Sequence, residues 1–410
     1  MRALYTLLLR LALPLVLIRL WWRGRREPGY REFVAERFGR YAGDVPERLV
    51  WIHAVSVGEV RAALPLVRAL QEALANYTVL LTCTTASGRA MAKQVYGESV
   101  LCAYLPYDYP ESVQRFLERF RPRLGILMET EIWPNLIAEC KALAVPLVLA
   151  NARMSEKSAA GYERWHALFW PAFASLAGVC AQSEADAIRL RGLGASAVEV
   201  CGNLKFDVQV DEAQLERGRL WRRQLERPVL LLASTREGEE DLLLGALPEW
   251  DGKLLVIVVP RHPQRFDALA RLADARRSRD DFPGPKQRIY LGDSMGEMGF
   301  YYGVCDVAVI GGSFAPLGGQ NLIEALAAGA AVVTGPSMYN FAEATRLAVE
   351  AGAVVQGEDA GTAVRLALEL LGNSQKRQAM AAAGKALCEA NRGATARHLE
   401  VCLNLVKTGA

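Results

Sequence analysis

Leu49-Val-Trp-Ile-His-Ala-Val-Ser-Val-Gly-Glu59 is the stretch on which the fold turns. Residues 49–55 form an almost continuous apolar run of strand length. A strand that is apolar on both faces, instead of alternating, belongs in a parallel sheet covered from both sides. The next residues open a helix. Ser56 stands three positions before Glu59, the capping-box spacing in which the hydroxyl accepts an orphan backbone N–H and the carboxylate reaches back to another. Strand, turn and helix make one βα unit.

The unit recurs outward from this point. Apolar runs at residues 78–82, 124–128, 146–149 and 178–181 alternate with amphipathic stretches at 61–73, 111–120 and 136–143. This alternation predicts a Rossmann-like domain over residues 27–207. A charged stretch at 211–227 reads as a connecting helix, placing a linker at 208–227. The alternation then restarts with runs at 229–233, 254–259, 307–311 and 331–334, a second α/β domain over 228–410. The last helical stretch, 374–405, is long enough to pack across either domain. At 410 residues the chain exceeds what one core usually organises. Ligands of such sheets sit at the carboxyl ends of strands, so the chemistry belongs to the turns.

Composition agrees with a globular chain: 51% hydrophobic, 23% charged, 35 Gly. Eight scattered cysteines, with no C-x-x-C and no close Cys/His cluster, read as small core residues of a reduced compartment. Arg and Lys lack the interleaved aromatics of a nucleic-acid surface, which argues against that partner. No D-x-D occurs, and His53, His166, His262 and His398 have no metal-ligand spacing, so no metal or other cofactor is expected.

Net charge is only +3, yet residues 1–40 hold nine Arg against three Glu. Residues 4–22 are apolar over a length that crosses or enters a bilayer of roughly 30 Å. No small-residue cleavage site follows, so the segment 1–26 reads as a retained membrane anchor with a basic flank. Trp21 and Trp22 suit the interface; Arg23, Arg25 and Arg26 suit the cytoplasmic side and anionic lipid. Arg10 stands mid-segment, where a charge at the bilayer centre costs about 2.5–3.5 kcal/mol. Spanning and shallow insertion both remain open, beside burial as an amphipathic core helix.

Three turns share the capping grammar: Ser56–Glu59, Ser234-Thr-Arg-Glu237 and Asn321-Leu-Ile-Glu324. Each reads as a plain helix cap. The third follows Gly311-Gly-Ser-Phe-Ala-Pro-Leu-Gly318-Gly319-Gln, whose glycines would let backbone N–H groups approach an anion at a helix start. Glu59, at the carboxyl edge of its strand, is either a cap or a general base. Pro260-Arg261-His262-Pro263 fixes an Arg and a His at the end of a strand, for phosphate or for an edge ion pair. Lys205 lies where the halves join.

Eight collinear blocks resemble the 3-deoxy-D-manno-octulosonic acid (Kdo) transferases of lipopolysaccharide synthesis. They are Trp51-Ile-His-Ala-Val-Ser-Val-Gly-Glu59, Tyr104-Leu-Pro-Tyr-Asp108, Met128-Glu-Thr-Glu-Ile-Trp-Pro-Asn135, Ala150-Asn-Ala-Arg153 with Ser158-Ala-Ala-Gly161, Gly202-Asn-Leu-Lys205-Phe-Asp207, Val259-Pro-Arg-His-Pro263, Gly292-Asp-Ser-Met-Gly-Glu297 and Gly311-Gly-Ser313. The resemblance implies a GT-B fold, two Rossmann-like domains facing a cleft, and inverting transfer from CMP-Kdo to the acylated glucosamine disaccharide precursor of lipid A. It implies inner-membrane lipids as further partners. Glu59 becomes the general base, with Glu129 or Glu131 and Lys205 near the reacting centre. The CMP site it implies comprises Pro260, Arg261, His262, Met295, Gly296, Glu297, Gly318, Gly319, Asn321, Leu322, Ile323 and Glu324.

Two departures qualify the match. The family's Thr-Pro-Thr-Gly turn reads Thr85-Ala-Ser-Gly88, and its Gly-Gly-His-Asn block reads Gly318-Gly-Gln-Asn321, with Gln320 where the family has histidine. The rival expectations are another membrane-associated GT-B sugar transferase or a sugar-nucleotide epimerase, and a non-catalytic nucleotide-sugar binder in which Glu59 only caps.

Overall fold

The apolar runs form strands because nearly all of their residues are buried by helices on both faces. In a computed structural model describing residues 1–408 apart from Arg26, Gln209, Trp250 and Asp251, the first seven strands are β1 (Leu49–His53), β2 (Thr78–Cys83), β3 (Leu101–Tyr104), β4 (Leu124–Met128), β5 (Leu147–Ala152), β6 (Gly178–Ala181) and β7 (Val198–Val200). They pair in parallel in the order β3-β2-β1-β4-β5-β6-β7. Arg26 of the basic flank lies outside the described residues.

A second parallel sheet, β10-β11-β9-β8-β12-β13-β14, is made from β8 (Val229–Thr235), β9 (Leu255–Pro260), β10 (Ala275–Arg276), β11 (Ile289–Leu291), β12 (Val307–Ile310), β13 (Ala331–Thr334) and β14 (Val354–Gln356). Each sheet is the doubly wound arrangement anticipated from the alternation. β3, β7, β10, β11 and β14 are additions to the strands legible in the sequence.

The first sheet buries two apolar layers. One holds Trp51, Leu80, Phe116, Leu127 and Leu149; the other holds Val50, Ile52, Leu81, Ile126 and Val148. The final helix, Ala394–Thr408, belongs to this unit and adds Ala394, Cys402 and Val406 to the second layer. The two units are residues 1–207 with 393–410, and residues 208–392. The helix Glu212–Gln224 packs inside the second unit, where a Cβ on Gly218 would lie 2.1 Å from the Phe300 carbonyl oxygen. All eight cysteines are unpaired, six buried and Cys102 and Cys305 half-buried.

The apolar start forms one helix, Arg2–Arg23, with only Leu20 fully buried. The stretch predicted as one helix at 61–73 is two, Val57–Ala62 and Leu64–Ala73, because Pro65 opens a new helix in its first turn.

Candidate active site

Strand order in the first sheet reverses between β1 and β4, and the turns leaving those two strands flank the crevice where doubly wound sheets bind ligands. Glu59 leaves β1 on the first turn of Val57–Ala62. Ser56 accepts the Glu59 N–H at 3.5 Å and its hydroxyl donates to Glu59 Oε1 at 3.1 Å, while Oε2 accepts the Val55 N–H at 2.8 Å. The cap is made, and yet the carboxyl is pushed up to about 8. Burial is the main cause, the Glu129 charge adds to it, and the Val55 hydrogen bond opposes it.

The turn after β4 supplies the rest. Glu129 holds a left-handed backbone, φ 60°, which costs a non-glycine residue on the order of 1 kcal/mol. Its Oε1 pairs with Lys205 Nζ at 3.2 Å. Glu131 accepts from the Trp133 indole at 2.8 Å, and burial raises its carboxyl against that bond. Lys205 is presented by the short turn Leu204–Phe206. Asn151, also left-handed at φ 53°, fixes that turn by accepting the Leu204 N–H. The Asn151 N–H in turn donates to His398 Nε2 at 2.9 Å, so the last helix braces the crevice. Three carboxylates and one ammonium from positions 59, 129, 131 and 205 thus share one sheet edge.

The departure at Ala86 is structurally mild. Ala86 is the first residue of the helix Ala86–Tyr96, capped by Thr85 through the Gly88 N–H, a position that takes proline or alanine alike.

The second sheet reverses between β8 and β12. Here the structure corrects one reading. Ser234–Glu237 is not a capping box, because Ser234 turns left-handed (φ 56°) inside β8 and Gly238 (φ 84°) starts the helix Glu239–Gly245. The carboxylate that reaches back is Glu239, 1% exposed. It accepts the N–H of Arg236 at 2.8 Å, of Gly312 at 2.6 Å and of Phe314 at 2.9 Å, tying the turn after β8 to the loop after β12. Glu240 beside it accepts from Thr235 and Arg265.

The glycine loop is also not an open anion cradle. The N–H groups of Gly311, Gly312, Gly318 and Gly319 are engaged within the protein, by Ala233, Glu239, Ser337 and Gly312 respectively. Its glycines serve close packing: a Cβ on Gly318 would lie 2.4 Å from the Asn340 amide nitrogen.

Beyond the loop, Asn321 accepts the Ile323 N–H at 3.1 Å, two residues on, and the helix Ile323–Ala328 starts after Leu322 with no side-chain cap, so the capping box read at 321–324 is not formed either. Arg261 follows β9 and donates through Nε to Gln320 at 3.2 Å, so the residue standing for the family's histidine orients an arginine. The His262 imidazole is held below its ordinary pKa by slight burial and by the charges of Arg236, Arg261 and Arg265. Burial raises the Glu324 carboxyl while Arg261 opposes it. Met295 is exposed beside left-handed Gly296, whereas the Glu297 carboxylate is committed to Arg277 through two bonds of 3.0 and 2.9 Å.

Sequence reasoning missed Glu239 and Arg236. The acidic run Glu239-Glu240-Asp241 after Gly238 was the available signal for the first.

Residues 32–208 match the family described as 3-Deoxy-D-manno-octulosonic-acid transferase (kdotransferase). The chain is 46% identical to the 3-deoxy-D-manno-octulosonic acid transferase of Bordetella pertussis over 97% of its own length and 98% of the relative's. It is 37% identical to the Haemophilus influenzae transferase of the same description, with coverage of 98% and 97%. In fold it is similar to a crystal structure of Acinetobacter baumannii MurG, at TM-score 0.56 and 15% identity over 87% of this chain and 99% of that one.

Proposed function

The chain belongs to the Kdo transferases, glycosyltransferases of the GT-B fold, and from that premise we propose that it moves Kdo, with inversion, from CMP-Kdo to the acylated glucosamine disaccharide precursor of lipid A. The observation that carries the mechanism is Glu59: a carboxyl at the switch point of the first sheet, raised to about 8 beside two further carboxylates. A base that must take a hydroxyl proton works best when its own affinity for protons lies near the working pH.

In the step proposed, Glu59 takes the proton of the acceptor hydroxyl. The acceptor oxygen bonds to the anomeric carbon of Kdo from the face opposite the leaving group. The bond from that carbon to the phosphate oxygen breaks, and CMP departs with the electron pair. Lys205 holds Glu129, which keeps the base's proton affinity high by its charge. The second unit binds CMP through Pro260, Arg261, His262, Met295-Gly-Glu297 and the turn at 321–324, with Gly318 and Gly319 shaping that turn. The cations Arg236 and Arg261 then carry the leaving phosphate's charge, with neutral His262 as a hydrogen-bond donor beside them, without a catalytic metal. The apolar first helix brings this chemistry to the inner membrane of a bacterial cell, with both units on the cytoplasmic face.

Incubation with CMP-Kdo and the lipid A precursor, followed by mass analysis of the lipid, tests the reading, and an unchanged lipid mass overturns it. Glu59→Gln is expected to lower kcat by about 10²–10⁴-fold with CMP affinity intact. Full activity in that variant would return Glu59 to a cap.

A further inference from the structure

The helix Arg2–Arg23 is fastened to the first unit at both ends. Near its start, the Tyr5 hydroxyl donates to Asp108 at 2.9 Å, Thr6 and Asn135 bond at 3.0–3.1 Å, and Tyr109 donates to the Leu9 carbonyl at 3.0 Å. Arg10 pairs with Glu111 at 3.1 Å. Near its end, Arg31 donates to the Trp21 carbonyl at 3.1 Å, the Arg23 guanidinium lies 4.8 Å from the Tyr30 ring centroid, and Leu20 is buried.

The partners are not incidental surface groups. Asp108 also accepts the N–H groups of Asn135 and Leu136, at 3.1 and 2.7 Å, and so caps the helix Pro134–Ala142. Asn135 is fully buried.

These ties settle a geometric question that length alone leaves open. Twenty-two residues at 1.5 Å each reach about 33 Å, enough to cross a bilayer core of about 30 Å. Residues 2–10, however, lie against the folded unit. The remainder, 11–22, spans about 18 Å and returns to the same unit at Trp21. A helix with both ends on one soluble body cannot have them on opposite sides of a membrane.

The face turned away from the unit is a continuous stripe. Leu4, Leu8, Leu11, Leu15, Ile18 and Trp22 recur at alternating spacings of four and three residues, each between 50% and 69% exposed. Exposed Arg19 and Arg25 flank its end, the latter stacked 4.1 Å from the Trp21 ring centroid.

We propose that this helix lies in the plane of one leaflet, its Leu stripe sunk to the level of the acyl chains and its opposite face clamped to the first unit, instead of crossing the bilayer. The occupant of the stripe is an anionic lipid surface, because arginines and tryptophans border the apolar face as they do in interfacial helices, which bury roughly 5–10 Å deep. Arg10 then lies at the clamped side, paired with Glu111, and never meets the bilayer centre. The placement is independent of which sugar is transferred.

The test uses the full chain carrying an epitope ahead of Met1, in sealed inverted inner-membrane vesicles. Protease added outside is expected to remove the epitope as fast as it attacks the exposed unit. An epitope protected until detergent is added overturns the proposal. In parallel, Leu11→Glu with Leu15→Glu is expected to lose at least tenfold in binding to phosphatidylethanolamine vesicles containing phosphatidylglycerol, with its thermal unfolding retained. Unchanged vesicle binding, or a change of dimer to monomer in its place, overturns it equally. Neither readout involves Kdo transfer, so failure of the substrate assignment leaves the result standing.

Discussion

Glu59 satisfies a helix start and holds a perturbed carboxyl with the same two oxygens, and the perturbation can be steered from its neighbours. Glu129→Gln removes a like charge, so the acid limb of kcat/KM is expected to move to lower pH. Lys205→Met leaves Glu129 uncompensated, and the same limb is expected to move higher. Shifts of equal sign in the two variants would detach the limb from Glu59.

Stability follows the same group. Its proton affinity is higher folded than unfolded, so its contribution is full below the unfolded value of 4.5 and is lost as pH rises toward 8. Relative to Glu59→Gln, the parent protein should therefore lose stability across that window, by on the order of a few kcal/mol. Denaturant titrations at several pH values measure it. Glu59 was legible because its strand and cap are contiguous in sequence. Lys205 was named from its motif, but its pairing with Glu129 was not, since the two stand 76 residues apart and only the fold joins them.

Turns and edges are where elements departed from expectation. The central strands were readable because burial on both faces makes them uniformly apolar. β3, β7, β10 and β14 end their sheets, and segments as short as Ala275–Arg276 or as mixed as Val198–Val200 carry too little pattern. The loop after β12 shows why glycine spacing misleads: its N–H groups are taken up inside the protein, those of Gly312 and Phe314 by Glu239, whose place in the fold no local pattern reveals. Glu239→Gln keeps the shape and gives up the charge and one acceptor, leaving buried donors opposed by an NH₂. A loss of about 1.5–3 kcal/mol is expected, with weaker CMP binding and faster amide exchange at Gly312 and Phe314. Unaltered exchange there would mean the loop holds without it.

At the scale of the molecule, the two sheets were legible from alternation alone, whereas the return of the last helix to the first unit was not, because an amphipathic stretch does not name the surface it covers. Deleting residues 393–410 strips Ala394, Cys402 and Val406 from one apolar layer and leaves the Asn151 N–H without His398. Calorimetry of the truncated chain should show the first unit's transition abolished or sharply lowered and the second unit's kept. An unshifted pair of transitions would mean the helix is dispensable.

That return also sets a timetable. The ribosome releases residues 1–207 early, but the part of one apolar layer that the last helix covers stays open until residues 208–392 have been made, on the order of ten to forty seconds at 5–20 residues per second. The part synthesised first is therefore the part completed last, and through that interval a nascent chain already carrying its greasy first helix exposes a second adhesive surface. A chaperone bound there, or early capture of the helix by lipid, would protect the half-built unit until its closing segment emerges.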